Sequence, residues 1–498
     1  MKRWVWLVTL AIALLFTGLA WAVSSPVGSS PDDDFHLGSI WCGALAPDEL
    51  CATVETGHDA PTLPPGVRSV LVPSQIGPPA FCFAFDRTIS AACQLGGTSV
   101  DLVVSRANDG LYPGGYYAIM GILVTDSPAR SVIAMRVATF VLCVGLILGA
   151  VQMVTPTVRR SYILAALATA IPLAVFLFSS TNPSGVVVAA IGVVFVSAIG
   201  FLGASSSGGM YMCAGLGVVA GVAALWSRAD AGYYLAAVSA CALILDGDWR
   251  GQARSRSMFV AAVGAVGLAW LLFWGQTSEV VDGMVTVPGE LPLGAVVWTN
   301  LTDLPSLWAG ALGISWGLGW LDTRMPDLVG VGMVFGVSGL AFWGLGETSR
   351  RKLLAVIAGM LAVTVAPLWV LTADRLLVGQ IVQPRYLLPM LPVILTLCLL
   401  PTQAEQRRLN DVQLALLGVI WAMANSVALH ANIKRYVTGQ DVYDINLNAD
   451  AEWWWSIGPS PMVVWIVGSV AFAIAVAVSL FKGVREGTPE PEVVPPHS

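Results

Sequence analysis

The feature that most limits what this chain can fold into is a series of long apolar runs divided by short polar stretches. A helix needs about 20 apolar residues to cross a hydrocarbon core of about 30 Å. Such runs lie near 4–23, 132–154, 160–178, 185–203, 209–226, 231–246 and 257–275. Five more lie near 327–346, 353–373, 386–400, 412–430 and 461–481, with 231–246 and 386–400 the shortest. Charge is correspondingly scarce, at 11% of the 498 residues against about 25% in soluble chains. The expectation is an all-α polytopic membrane protein of about 12 transmembrane helices, which excludes a string of soluble domains. A net charge of −6 also excludes a nucleic-acid partner. No fixed-period repeat occurs, so a solenoid is excluded and an inverted-repeat transporter gains no support.

Orientation follows from the placement of Lys and Arg, which favour cytoplasmic loops. With 12 crossings the amino-terminal side carries 14 basic residues, among them Lys2, Arg3, Arg159, Arg350, Arg351, Lys352 and Lys482, and eight acidic ones. The opposite side carries 10 basic and 23 acidic residues. Both termini are therefore expected in the cytoplasm, with the acidic face outside. The same count governs the apolar stretch beginning at Pro305. Were it a crossing, the cluster Arg350–Arg351–Lys352 would fall outside. Residues 305–326 are accordingly expected to be re-entrant or interfacial on the outer face, buried in protein or lining a wet cavity.

Residues 1–23 form the expected first transmembrane helix. The pattern Lys2–Arg3, an apolar run and Ala20–Trp21–Ala22 also fits a secretory signal, although the run exceeds the usual 7–15 residues of a signal core. Residues 24–131 form an extracytoplasmic loop of 108 residues, out of proportion to the other connections. Its aromatic content, including Trp41, Phe81, Phe83 and Tyr112, argues for an ordered loop with a function. It also contains four of the eight cysteines. In an oxidising compartment these predict disulfides, and the local pairing Cys42–Cys51 and Cys82–Cys93 closes two short loops. Zinc is the rival, but its usual pairs have two to four intervening residues. The stretch from Leu102 to Val124 reads as helices lying along the interface. Residues 132–481 form the transmembrane core of about 11 helices. Residues 482–498, rich in Pro and Glu, read as a disordered cytoplasmic tail.

Three clusters could carry chemistry. Pro31–Asp32–Asp33–Asp34–Phe35–His36 places adjacent carboxylates beside the membrane. Asp32 or Asp33 could serve as a catalytic base. With Asp34 and His36 in support, the cluster could instead hold Mg2+ or Mn2+, or do both. The plain alternative is a solvated acidic turn that caps a helix. Gln383–Pro384–Arg385–Tyr386 stands at the outer start of a span. Arg385 there is either a phosphate ligand or an anchor to head groups or Asp374. Arg136, in the second span, has the same phosphate reading or snorkels to the outer interface. Gly319–Trp320–Leu321–Asp322 combines a stacking face with a hydroxyl acceptor and suits carbohydrate, or is an interfacial turn.

On these residues the chain resembles a family of bacterial predicted membrane proteins of undefined activity, grouped by similarity with the GT-C glycosyltransferases. The family's Pro-Asp-Glu-x-x-His pattern is matched by Pro31, Asp32, Asp33 and His36, with Asp for Glu. Its Tyr-Tyr pattern falls on Pro113, Tyr116 and Tyr117, and its Asn-Pro-Ser turn on Asn182, Pro183 and Ser184. Its Gly-Trp-Leu-Asp segment falls on residues 319–322, and its Gln-Gly-Arg-Tyr motif on Gln383, Arg385 and Tyr386, with Pro384 for Gly. The resemblance implies a GT-C-like fold in the bacterial plasma membrane and a polyprenyl-phosphate-linked sugar as donor. The acceptor would be a cell-envelope glycan or lipid. Arg385 and Arg136 would bind donor phosphate, and Gln383, Tyr386, Trp320, Asp322, Tyr116, Tyr117 and Asn182 would contact substrate. Membrane lipids are the other expected partners. A lipid-linked glycan flippase or transporter and a non-catalytic envelope-assembly protein are the alternatives. Transporters, however, place ionisable groups near the midplane, whereas here they gather at one rim.

Overall fold

The structure is a computed structural model that describes residues 3–43, 51–54, 63, 65–96, 101–251, 253–274, 291–380, 382–402 and 408–485. The long apolar runs are helices. In chain order they are α1 (Arg3–Val23), α4 (Pro128–Met153), α5 (Pro156–Ala168), α6 (Pro172–Phe178), α7 (Ser184–Leu202), α8 (Ser207–Ser227), α9 (Ala231–Asp246) and α10 (Ala253–Trp274). After them come α11 (Leu293–Ala311), α12 (Asp327–Leu345), α13 (Arg350–Ala373), α14 (Leu391–Leu399), α15 (Asp411–Val437) and α16 (Pro461–Val478). Among the described residues nine helices are long and apolar enough to cross a membrane. The pair α5–α6, bent by 95° at the break before Pro172, makes a tenth if it counts as one span. Proline at a helix start lacks only an N–H that would be unpaired anyway, so α6 can restart there in a new direction. α9 and the helical stretch Pro384–Leu399 are apolar but short. The chain is thus a polytopic membrane protein in which each of the 12 runs is helical, while length and composition alone carry nine or ten of them across.

α7 is the central helix, with 89% of its apolar stretch buried by the protein itself. Its neighbours α8 and α10 turn Val218, Val222, Val266, Leu268 and Phe273 outward, as a lipid-facing surface requires. Pro305 sits inside α11, which occupies the first part of the 305–326 stretch. Mid-helix Asn300 donates Nδ2–H to the Leu376 carbonyl at 2.8 Å and accepts from the Val378 amide at 2.9 Å. α11 is therefore tied to the loop that follows α13. Past it, residues 312–326 form an irregular turn closed by the Leu318–Thr323 bridge.

One end of the bundle carries a polar layer made from the long segment after α1. Here the all-α expectation is corrected. β1 (Val67–Pro73) and β2 (Leu102–Asn108) pair antiparallel, from Val67↔Asn108 to Pro73↔Leu102. The first third of the stretch read as interfacial helix is therefore strand. Alternation explains it: Ser105 and Ala107 turn in while Leu102 and Val104 turn out, a period of two that a helix cannot satisfy. Two helices complete the layer, α2 (Asp33–Trp41) and α3 (Gly115–Gly121). Disulfides join Cys42 to Cys51 and Cys82 to Cys93, as the spacing suggested, and the four remaining cysteines are buried thiols. The layer is laced to the loops between spans: Asn182 donates to the Pro31 carbonyl, Trp320 to Gly28, and Trp455 to Val23. The tail beyond residue 485 lies outside the described residues.

Candidate functional site

Asp32 stands at the amino end of α2 with φ 58° and ψ 25°, a left-handed conformation, and its side chain makes no cap. Asp is among the few residues that visit this region readily. The turn frees its carboxylate from the helix end. Within α2 successive residues point about 100° apart, so Asp33 and Asp34 diverge, and the left-handed turn sends Asp32 to a third partner. Asp32 Oδ2 accepts from Arg385 Nη2 at 2.6 Å. Asp33 accepts from the Ser30 amide at 2.9 Å and the Thr181 hydroxyl at 2.5 Å. Asp34 pairs with Arg106. Asp33 is fully buried, whereas a third of the Asp32 side chain is open.

Arg385 is the centre of this arrangement. It is buried, and beyond Asp32 its Nε and Nη1 have no hydrogen-bond partner. Its guanidinium lies 5.5 Å from the Tyr386 ring centroid. On Tyr386, at 5.4 Å, sits a second guanidinium, that of Arg228, which also lies 5.4 Å from the Tyr112 ring. Arg228 is gripped by both oxygens of Asp230, at 2.8 and 2.9 Å, and by Ser184 Oγ at 3.1 Å. His36 meets Tyr117 Oη through Nδ1 at 2.9 Å, and its buried Nε2 has no partner. Gln383 Oε1 is likewise buried and unpartnered. Orphaned buried donors and acceptors are costly; Arg385, His36 and Gln383 supply four of them, and Asp34 Oδ1 is a fifth. Arg228, Tyr112 and Arg106 were not among the site residues expected from the sequence. The available signal was the Arg228–Ala229–Asp230 spacing in a two-helix connection that also meets aromatic residues.

The other expected site residues take supporting places. Arg136 neither snorkels nor reaches this centre. It is buried and donates from Nη1 to the carbonyls of Ala22 and Ser25, and from Nη2 to the Pro26 carbonyl and Ser29 Oγ, at 2.6–3.0 Å. Tyr116 Oη meets Thr139 Oγ1 at 3.2 Å. Asn182 holds the turn before Asp32 through the Pro31 carbonyl. Trp320 packs at a steep angle against the rings of Phe81 and Phe85. Asp322 is buried, accepting from the Phe85 amide and from Arg435, which also donates to the carbonyls of Phe83, Asp86 and Ile89. That knot fixes the Phe83–Ile89 loop over the layer.

The sequence pattern of the DUF2142 predicted membrane proteins matches residues 15–394, about three quarters of the chain and the whole of this site. The chain belongs to the DUF2142 family. No curated protein and no solved structure matches it. Family membership thus supports the membrane architecture and leaves the chemistry to the residues themselves.

In this DUF2142 member the electrostatics of the motif separate its members. Burial opposes charge on Asp32, but the Arg385 guanidinium prevails and holds the carboxyl below its ordinary value. Burial pushes Asp33 up to about 6 against the opposing pull of Arg136 and its hydrogen bonds. Burial pushes His36 down to about 3, so the imidazole is neutral. The carboxylates do not converge, and among the described residues no three His, Cys, Asp or Glu side chains form a metal-ligand set.

The opposite shifts of Asp33 and His36 yield a measurable cancellation. The raised Asp33 contributes stability that is full below 3.8 and lost as pH rises through about 6. The lowered His36 contributes stability that is full above 6.5 and lost as pH falls through about 3. Between roughly pH 4 and 6 the folded protein holds its proton on Asp33 and the unfolded chain holds one on His36, so this pair has little net pH slope. Asp33→Asn is expected to expose the His36 part, with thermal midpoints falling as pH drops from 6.5. His36→Gln is expected to give the reverse slope. Thermal unfolding of the solubilised variants from pH 4 to 7 measures both, and parallel profiles for the two variants would contradict the assignment.

Proposed function

We propose that this protein is a membrane glycosyltransferase with a GT-C-like fold that takes a sugar from a polyprenyl-phosphate donor. The observation that carries the reading is the buried Arg385 guanidinium, with Asp32 on one nitrogen and two nitrogens unpartnered. A planar cation with two vacant donors suits a phosphate oxygen pair, and Arg228 across the Tyr386 ring adds positive charge. Donor phosphate on Arg385 brings negative charge to Asp32 and raises its proton affinity. Asp32, the partly open carboxylate, then accepts the proton as an acceptor hydroxyl attacks the anomeric carbon. The bond between that carbon and the phosphate oxygen breaks, and polyprenyl phosphate departs with the electron pair, stabilised by the two guanidiniums.

In this reading the nine long helices, the bent α5–α6 pair and the two short apolar helices make 12 crossings. Basic loops then place both termini in the cytoplasm of a bacterial plasma membrane, and the polar layer faces outward. The acceptor is an envelope glycan or a lipid-linked glycan at that face. Purified protein in lipid nanodiscs, given a panel of polyprenyl-phosphate hexoses and pentoses with a lipid-linked glycan, is expected to form a covalently extended glycan. In sealed vesicles, vectorial movement of the lipid-linked sugar with no covalent product would overturn the proposal in favour of transport.

A further inference from the structure

Among the buried polar groups of the site, His36 is one that the proposed reaction leaves unused. It lies on α2, fully buried, and its amide donates to the Asp32 carbonyl at 2.9 Å. Asp32 therefore joins two residues, His36 through its main chain and Arg385 through its carboxylate. Phe35, Tyr112 and Tyr117 enclose the imidazole, with ring centroids 5.5, 5.7 and 5.9 Å away.

Hydrogen-bond accounting fixes the tautomer. Nδ1 and Tyr117 Oη lie 2.9 Å apart, and the tautomer decides which of them donates. Tyr117 is itself buried, and among the described residues its hydroxyl has no partner besides His36. With the imidazole proton on Nδ1, the tyrosine hydrogen and the Nε2 lone pair would both be buried without partners. With Tyr117 donating to Nδ1, only an Nε2–H is left over. Each buried orphan is costly, so the second arrangement prevails and Nε2 carries the proton.

That proton is a hydrogen-bond donor rather than an acid. Burial first, and then the guanidiniums of Arg228, Arg385 and Arg106 against the pull of Asp32, keep the ring neutral. A neutral imidazole can polarise an oxygen through its N–H without giving the proton up. Together with Nε and Nη1 of Arg385, Nε2–H makes three buried donors without acceptors, on two residues joined through Asp32. Three such donors suit the oxygens of a phosphate, since a hydrogen bond to a charged acceptor is about twice as strong as one to a neutral acceptor.

We infer that His36 is a second phosphate ligand, its Nε2–H donating to an oxygen of the phosphate that Arg385 holds, with Tyr117 fixing the tautomer this requires. The inference rests on the reading of Arg385 as the phosphate's seat, and it does not require that sugar be transferred. Where transfer occurs, the electron pair of the broken bond stays on the phosphate and the Nε2 proton stays on the imidazole.

The chain has four histidines, so the full-length protein carrying isotope-labelled histidine in nanodiscs gives few imidazole signals. Those absent from His36→Gln belong to His36. Between about pH 5 and 8 the proton is expected on Nε2 and not on Nδ1. Saturating geranyl phosphate, its binding followed by phosphorus NMR, is expected to move the Nε2–H resonance downfield. His36→Phe is expected to weaken that binding about 10- to 100-fold. A Gln amide nitrogen lies as far along the side chain as Nε2, whereas that of Asn reaches only as far as Nδ1. His36→Gln is therefore expected to bind within about threefold of the wild type and His36→Asn to resemble His36→Phe, a split that lost packing would not produce. A proton on Nδ1, geranyl phosphate bound with His36 signals unmoved, or wild-type affinity in His36→Phe would each overturn the assignment and leave Arg385 as the phosphate ligand. Binding unchanged by Arg385→Ala would instead overturn the reading beneath it. A moved Nε2–H signal in a protein that transfers no sugar would overturn the transferase and support the ligand.

Discussion

Arg385→Ala is expected to reduce sugar transfer about 100- to 1,000-fold, the usual effect of losing one donor to developing charge, while the protein remains folded. Both halves follow from the same geometry. The guanidinium is buried with one partner, and two of its nitrogens have none. A buried charge whose donors are unsatisfied contributes little net stability, and removing it relieves a desolvation cost. The carboxylate it would leave behind, Asp32, is one-third open to solvent and remains hydrated. Arg385→Lys keeps the charge but loses the planar fork, so it is expected to recover part of the rate and little of the donor affinity. Asp32→Asn keeps the shape and removes the proton acceptor. Its kcat is expected to fall about 100-fold or more, with donor KM near the wild-type value. Steady-state transfer assays, with thermal midpoints measured alongside, separate these effects. Unchanged transfer by Arg385→Ala would remove Arg385 from the reaction, and unchanged transfer by Asp32→Asn would remove Asp32 from the role of base.

The parts of the fold that were legible were those written in local pattern. Each apolar run became a helix because a backbone in hydrocarbon must satisfy its own hydrogen bonds. The pairing of Cys42 with Cys51 and Cys82 with Cys93 was legible because each lies within one short subsegment. The β1–β2 pair was missed because its strands lie about 35 residues apart, and neither shows its period of two as clearly as the nearby Tyr cluster suggests an interface. At the site, three neighbouring carboxylates in the sequence imply a shared ligand. The left-handed turn at Asp32 and the start of α2 instead give them to Arg385, to Thr181 with Ser30, and to Arg106. Arg228 illustrates the remaining difficulty. Beside Asp230 it reads as an ordinary surface turn, and it becomes part of a cationic centre only when Tyr112 and Tyr386, distant in sequence, enclose it.

Arg136 presents the opposite case to Arg385, and its replacement is expected to have the largest effect on folding. Its two terminal nitrogens are both spent, on three main-chain carbonyls and one hydroxyl of the segment that leaves α1. Arg136→Met would strand those acceptors in a buried setting and leave Asp33 without the cation that opposes its burial. Breaking a buried charged network in this way costs about 3–5 kcal/mol, enough to depopulate the folded state of a marginally stable protein. The loss is expected in fluorescence-detected size exclusion and in thermal midpoints, before any assay of transfer. Arg136→Lys retains the charge but makes fewer of the four bonds, so an intermediate midpoint is expected. Were Arg136 a phosphate ligand, Arg136→Met would instead lose donor affinity with its midpoint intact, and that result would place this residue in the reaction centre. The two arginines therefore divide by how many of their nitrogens the protein already uses: Arg136 braces the turn that presents Asp32, and Arg385 is left with donors for a ligand.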